Sequence, residues 1–224
     1  MRGKSSVTFG HSPAMFFAAH MRSPVPKATL RILAGLCLSL GVASAGFGQV
    51  PAARTKAEVR TVRFALVNAP ETTARWFEAD VELDVRQPGG RTTYVDRVKV
   101  ALSLGVKSLD GSYRFYRAEV EAVSVEAGAA HFRFYLPPEI VRRDGLRPDA
   151  EFWFAEISVA GETQPVSMHN YAPTLREPER LKNFQGKITS EGPAHDGEFV
   201  PQYFTPFAGL YGGASPTMLR KSRE

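Results

Sequence analysis

From Trp76 to Arg86 the chain alternates with a period of two: Phe77, Ala79, Val81, Leu83 and Val85 take one face, and Glu78, Asp80, Glu82 and Asp84 the other. Successive side chains of a strand point to opposite faces, so this segment reads as a half-buried β-strand. Val62, Phe64 and Leu66 alternate in the same way with Arg63 and Ala65, and ordered structure is expected from about Val59. A further apolar set at Tyr94, Val98, Val100, Leu102 and Leu104 follows Gln87-Pro88-Gly89-Gly90. With Gly89-Gly90 as a two-residue hairpin turn, Glu82 faces Arg97, Asp80 faces Lys99, Val81 meets Val98 and Ala79 meets Val100. That register sets apolar on apolar and acid on base, each pair contributing about 0.2–1 kcal/mol.

A second hairpin is expected from Tyr113 to Val125, a turn around Glu126-Ala127-Gly128, and Ala130 to Leu136. It places Val120 near Phe134 and Glu121 near Arg133, with a bulge absorbing the phase slip at Ala122-Val123. Pro137-Pro138 opens and Gly145 closes a single helical turn. Glu151 to Val159 returns to extended structure with Trp153, Ala155, Ile157 and Val159 on one side, and a last strand is expected over Gln164 to His169. About seven strands with little helix predict an all-β fold, an immunoglobulin-like antiparallel β-sandwich over residues 58–170. Residues 171–224 form a C-terminal extension. Leu175 to Phe184 reads as a short charged helix, and the rest as an irregular tail rich in Gly, Pro and aromatics that either packs along the sandwich or awaits a partner.

Upstream of the alternating segments, Met21 to Ala45 has the order of a secretory signal: basic Arg22, Lys27 and Arg31, the apolar run Ile32 to Val42, then Ala43-Ser44-Ala45. Residues 1–45 are read as a signal peptide cleaved after Ala45, with Met21 as the true start, and residues 46–57 as a linker. The apolar run is shorter than the roughly 20 residues a bilayer demands, so no permanent membrane anchor is expected after cleavage. The product is expected to be exported, either periplasmic or at the cell surface.

This leader changes the electrostatic picture. Five of the 28 Lys and Arg lie in residues 1–45, which hold no Asp or Glu, leaving 23 basic and 23 acidic residues in the mature chain. Nucleic acid loses its electrostatic case as a partner. The single cysteine, Cys37, also lies in the apolar run, so the mature domain has no disulfide and depends on its apolar core.

Chemistry is sparse. His131, His169 and His195 are far apart and in no ligand-spaced motif, and His131 falls on the polar face of a strand, where a solvated histidine is expected. His195-Asp196 with Glu198 reads as solvated tail rather than a cation site. No serine sits in a G-x-S-x-G elbow. The row Glu78, Asp80, Glu82 and Asp84 reads as an ion-paired sheet face, not as paired catalytic carboxylates. No catalytic residue, metal or cofactor is expected.

Aromatic surface carries more functional content. With Trp153 and Ile157 facing the core, Phe152 and Phe154 project from the opposite face, and burying one phenylalanine is worth about 1.5–3 kcal/mol. Either the chain's own tail covers them, or both faces of this strand are internal, or a partner does so. Tyr135, Phe152, Phe154, Phe199, Tyr203, Phe204, Phe207 and Tyr211 together form the expected interaction surface.

At Trp76-Phe77-Glu78-Ala79-Asp80-Val81-Glu82-Leu83, and again at Phe134-Tyr135-Leu136-Pro137-Pro138-Glu139-Ile140-Val141, the chain resembles exported verrucomicrobial pilus-like accessory proteins. The likeness runs from Val59 to Gly161. It implies an immunoglobulin-like domain in a type IV pilus-like or other envelope assembly, with no enzymatic residues to carry over. The long apolar N-terminal helix of true pilins is lacking, which favours an accessory role. The expected function is therefore non-enzymatic, through contacts with envelope or pilus-like assembly proteins, with a carbohydrate-binding or adhesive module as the alternative.

Overall fold

A computed structural model of the chain describes residues 55–87, 94–212 and 215–219. The leader through Ala45, the start at Met21, the linker before residue 55 and the Gly89-Gly90 turn lie outside the described residues. The strands in chain order are β1 (Lys56–Asn68), β2 (Arg75–Arg86), β3 (Tyr94–Val95), β4 (Val98–Lys107), β5 (Tyr113–Val123), β6 (Val125–Glu126) and β7 (Gly128–Leu136). Helix α1 (Pro138–Asp144) follows, then β8 (Phe152–Val159), β9 (Glu162–Thr163), α2 (Pro178–Glu191), β10 (Val200–Pro201) and β11 (Thr217–Met218).

Two antiparallel sheets face each other. One has the order β1-β2-β7-β10, the other β11-β5-β4-β8-β9, and β3 pairs with β6 apart from both. Lettered as immunoglobulin strands, β1, β2 and β7 are A, B and E, while β5, β4, β8 and β9 are C′, C, F and G. The fold is thus an all-β, immunoglobulin-like sandwich. Its core forms where the inner rows Phe77, Ala79, Val81 and Leu83 of one sheet meet Val98, Val100, Leu102 and Leu104 of the other, all fully buried. Apolar residues at every second position leave each strand one face to hide, and a facing sheet hides it.

Both expected hairpins are corrected. β2 pairs with β1 and β7, not with β4, and β5 pairs with β4, not with β7. The connections β2–β4 and β5–β7 cross between sheets, as Greek-key connections do. Glu82 receives Arg60 and Arg63 at 3.1 and 2.6 Å. Arg97 instead holds Glu121 at 2.7 Å, and Lys99 holds Glu119 at 2.9 Å. Because several strands carry basic residues at alternate positions, charge matching did not single out the partner. The phase slip near Val123 is real: Ser124 takes a left-handed φ of 51° and divides β5 from β6.

His131 is also corrected. Its Nδ1 lies 3.0 Å from both carboxylate oxygens of Asp80, and the residue is half-buried rather than solvated. β1 begins at Lys56 with Ala57 buried, inside the expected linker. The expected turn at Pro137 to Gly145 is α1, which ends on Gly145 at φ 61°. Gln164 to His169 is not a strand. It bulges outward between two anchors on the edge of β8, the Gln164 N–H donating to the Ile157 carbonyl (2.8 Å) and the Ala155 N–H to the Asn170 carbonyl (2.7 Å). The buried Asn170 side chain donates back to the Ala155 carbonyl at 2.8 Å. Two backbone bonds and one side-chain bond thus replace a ladder, leaving Val166 and Met168 exposed at the bulge.

The C-terminal extension completes both sheets. β10 pairs with β7 at Val200↔Tyr135 and Pro201↔Phe134, and β11 with β5 at Thr217↔Val123 and Met218↔Ala122.

Candidate functional site

The outer face of the β4, β5 and β8 strands carries Ser103 and Gly105, Phe115, Arg117 and Glu119, and Phe154 and Glu156. α2 lies over one end of it. Pro178 starts this helix where a missing N–H costs nothing, and Phe184 and Ile188, one turn apart, supply its buried stripe. Gly105 lets the helix come close. A Cβ there would stand 3.0 Å from Phe184, 3.2 Å from Phe152 and 3.3 Å from Phe115. The Phe184 ring lies tilted 6.2 Å from both Phe115 and Phe152, and Phe154, Ala172 and Leu175 complete a second apolar cluster. The expected outer-face aromatics Phe152 and Phe154 are therefore covered by the chain itself. The helix runs on past the expected Phe184 to Glu191.

After α2 the chain turns at Gly192-Pro193 and returns beside β5, placing Phe199, Tyr203 and Phe204 opposite the helix. An open groove of about 1170 Å³ lies between. Its floor is Ser103, Phe154 and an ionic row in which Arg117 stands 3.6 Å from both Glu119 and Glu156. Phe184, Gln185, Ile188 and Thr189 make one wall, and Asp196, Phe199, Tyr203 and Phe204 the other. Tyr203 and Phe204 pack 4.4 Å apart, and Phe204 is 43% exposed. The groove mixes apolar and polar surface, and its ion pairs are solvent-facing and individually weak.

A buried network holds the second wall in place. Asp144, fully buried, accepts from the Tyr116 hydroxyl and from Arg143 at 2.8 and 2.9 Å, and lies 3.1 Å from Nε of Arg114. Arg143 also donates to both oxygens of Glu198 at 3.0 Å, and the His195 ring lies 3.2 Å from Glu198 and 5.1 Å from the Tyr116 ring. Burial opposes ionisation of Asp144, but hydrogen bonds from Arg143 and Tyr116 with two nearby guanidinium charges outweigh it, holding its carboxyl below the usual range. Glu198 is lowered likewise, burial being overcome by Arg143 and His195. Burial and the Asp144 carboxylate push the Tyr116 phenol up. His195 and Glu198 do come together, but as partners of Tyr116 and Arg143. Among the described residues no group of three His, Cys, Asp or Glu is arranged for a metal.

The other expected aromatics sit on the opposite sheet. Tyr135 and Phe207 are buried against each other and Trp76, with the Tyr135 hydroxyl donating to Glu78 at 2.6 Å. Tyr211, 40% exposed, lies under the Arg133 guanidinium at 4.1 Å. The expected interaction surface is thus divided. Phe154, Phe199, Tyr203 and Phe204 meet at the groove, Phe152 lies beneath α2, and Tyr135, Phe207 and Tyr211 belong to the far face. Tyr135, Phe154, Phe199 and Phe207 are buried, because α2 packs over Phe154 while Phe199 and Phe207 of the extension pack on Phe134 and Tyr135 of β7. Arg117, Glu156 and Gln185 were missed. The i, i+4 spacing of Phe184 and Ile188 was the available signal, since it implies a helix docked on a sheet and hence a margin beside it.

By sequence, no family profile and no curated protein matches the chain. By structure, the chain is similar to a protein of known crystal structure from Akkermansia muciniphila. The two superpose with a TM-score of 0.60 at 15% identity, over 75% of this chain and 95% of that one. The likeness is one of fold, and its coverage includes nearly the whole of the neighbour. No helix among the described residues is long and apolar enough to cross a membrane.

Proposed function

We propose that this chain is a non-enzymatic, exported envelope protein that works by holding other proteins, as an accessory component of a pilus-like assembly. The groove between α2 and the Asp196–Phe204 segment carries the reading. A wall with exposed Phe204 and half-buried Tyr203 faces exposed Gln185 and Thr189 across a charged floor, which suits a polypeptide with side chains of both kinds, and Arg143 ties Glu198 at the base of one wall to buried Asp144. The structural neighbour, similar in fold at 15% identity, supports the sandwich architecture such a protein would have.

The test is site-directed photo-crosslinking in the native envelope. A photoreactive residue at exposed Gln185, on the groove wall, is expected to capture a defined envelope protein, while one at exposed Glu139 on α1 captures none. Equal capture from both sites, or none from either, removes the reading. Turnover of ester, glycoside or peptide substrates by the purified protein also removes it.

A carbohydrate-binding reading stands second, favoured by the Tyr203–Phe204 pair beside Gln185, Glu156 and Asp196. Binding to a glycan array that is lost in Phe204→Ala supports it. Tyr135 and Phe152 cannot carry this role, one being fully buried and the other packed under α2.

A further inference from the structure

β2 takes the backbone groups along one side of β1, and among the described residues no strand pairs with the other side. β1 is 13 residues long, beyond the roughly three to ten of ordinary strands. Unpaired N–H and C=O groups along such an edge are a template for another strand. The register irregularity between Val59 and Thr61 leaves Thr61 to Asn68 as one unbroken run.

Two rows of side chains flank that run. On the inner row, Val62, Phe64 and Leu66 are only partly buried against the core, and partly buried Trp153 of the facing sheet stands 6.3 Å from Phe64, ring to ring. On the outer row, Arg60 and Arg63 share the single carboxylate of Glu82, with 66% and 59% of their side chains exposed. A partly buried apolar row and two exposed guanidinium groups that share one carboxylate therefore lie on the same edge strand.

β2 shows what β1 accepts. On the paired side, Phe77, Ala79 and Val81 stand beside Leu66, Phe64 and Val62, and Asp80 stands beside Arg63. A strand added to the free side meets the same two rows, so its complement alternates apolar with acidic residues as β2 does. A second copy pairing through its own Thr61 to Asn68 would bring no acidic side chain to Arg60 or Arg63, since that run holds none.

We propose that the free edge of β1 binds an extended segment of a partner protein, alternately acidic and apolar, by strand addition. This rests on reading the protein as one that acts through protein contacts, and it names where and by what chemistry one partner is held.

The test uses the purified protein and a fluorescein-labelled synthetic peptide copying Trp76–Arg86, read by fluorescence anisotropy. Two further peptides carry N-methyl groups on alternate amides, in opposite phases. A strand at an edge uses only every second N–H for the ladder, so one methylated peptide is expected to bind like the parent and the other to lose roughly tenfold or more. Replacing the acidic residues by Lys is expected to cost roughly tenfold as well. Hydrogen exchange is expected to slow within 61–68 on binding and to stay unchanged in α2. Failure of the parent peptide to bind, equal loss with both methylation phases or with neither, or undiminished binding of the Lys peptide overturns the proposal. Protection appearing at the groove instead does so too, as does a dimer in sedimentation velocity that the peptide dissolves. Crosslinking from Gln185 tests the groove alone, so the two readings fail separately.

Discussion

The ring of Tyr135 lies flat on that of Phe207, with centroids 4.5 Å apart and planes 6° from parallel. Tyr135 belongs to β7 and Phe207 to the C-terminal extension, so this stack fastens the extension to the sandwich. Gln202 locks the same loop by donating to the Phe207 and Leu210 carbonyls, both at 2.9 Å. Phe207→Ala is expected to cost about 3–5 kcal/mol in urea unfolding, the usual penalty for emptying an aromatic core site. Hydrogen exchange at Tyr203 to Leu210 is expected to speed up beyond that in β2. An unchanged midpoint would show that the loop is held by its backbone bonds instead.

Asp144 sets a pH dependence whose sign follows from its lowered pKa. Unfolded, it titrates near 3.9, and folded it titrates lower, so its stabilisation is complete above about pH 4 and disappears as pH falls through the folded value. Glu198 acts in the same direction. Asp144→Asn removes the charge that Arg114 and Arg143 share, and because both guanidinium groups keep some contact with water the cost is about 2–3 kcal/mol at pH 7. Urea midpoints measured from pH 2 to 7 check both points. The wild type should lose stability into acid more steeply than the variant.

Tyr116 and Tyr135 both set the opposite dependence to Asp144, at alkaline pH. Burial, with the Asp144 and Glu78 carboxylates respectively, raises both phenols. Each contributes stability in full below the unfolded value of about 10, and this is lost as pH rises above it. Absorbance at the phenolate band should therefore show these two of the seven tyrosines ionising only when the protein unfolds. Tyr116→Phe and Tyr135→Phe should each remove one from the late phase.

Gly145 ends α1 in the left-handed region at φ 61°, beside Leu109. Gly145→Ala is expected to cost about 1–2 kcal/mol, most of it from the backbone, because exposed Leu109 can swing away. Gly145→Asn should cost less, since asparagine tolerates this conformation better. Thermal unfolding of the two variants side by side decides it.

Much of the fold was legible because alternation is local. Phe77 to Val85 announced a strand and its buried face, and Pro138 with Gly145 announced a short helix with its ends. Pairing was not legible, because Asp80 is as well matched by Arg63, His131 and Arg133 as by Lys99. A turn signal after β2 invited a hairpin, yet the inner row of β2 is buried by facing Val98 and Val100 across the core rather than by lying beside them. At the groove, Phe199, Tyr203 and Phe204 were legible as unplaced aromatics. What the pattern withheld was where they go, since Gly186 and the polar run after it hid the second half of α2, and that half builds the facing wall.

β10 and β11 fix the margins of opposite sheets with residues far along the chain from the strands they join. Such pairings give nothing back until long loops have closed, which places the molecule among slow folders, with times of about milliseconds to seconds. Until those closing stitches are made, β7 and β5 each present a bare margin, so misassembly is most probable in that interval and a chaperone would matter most then.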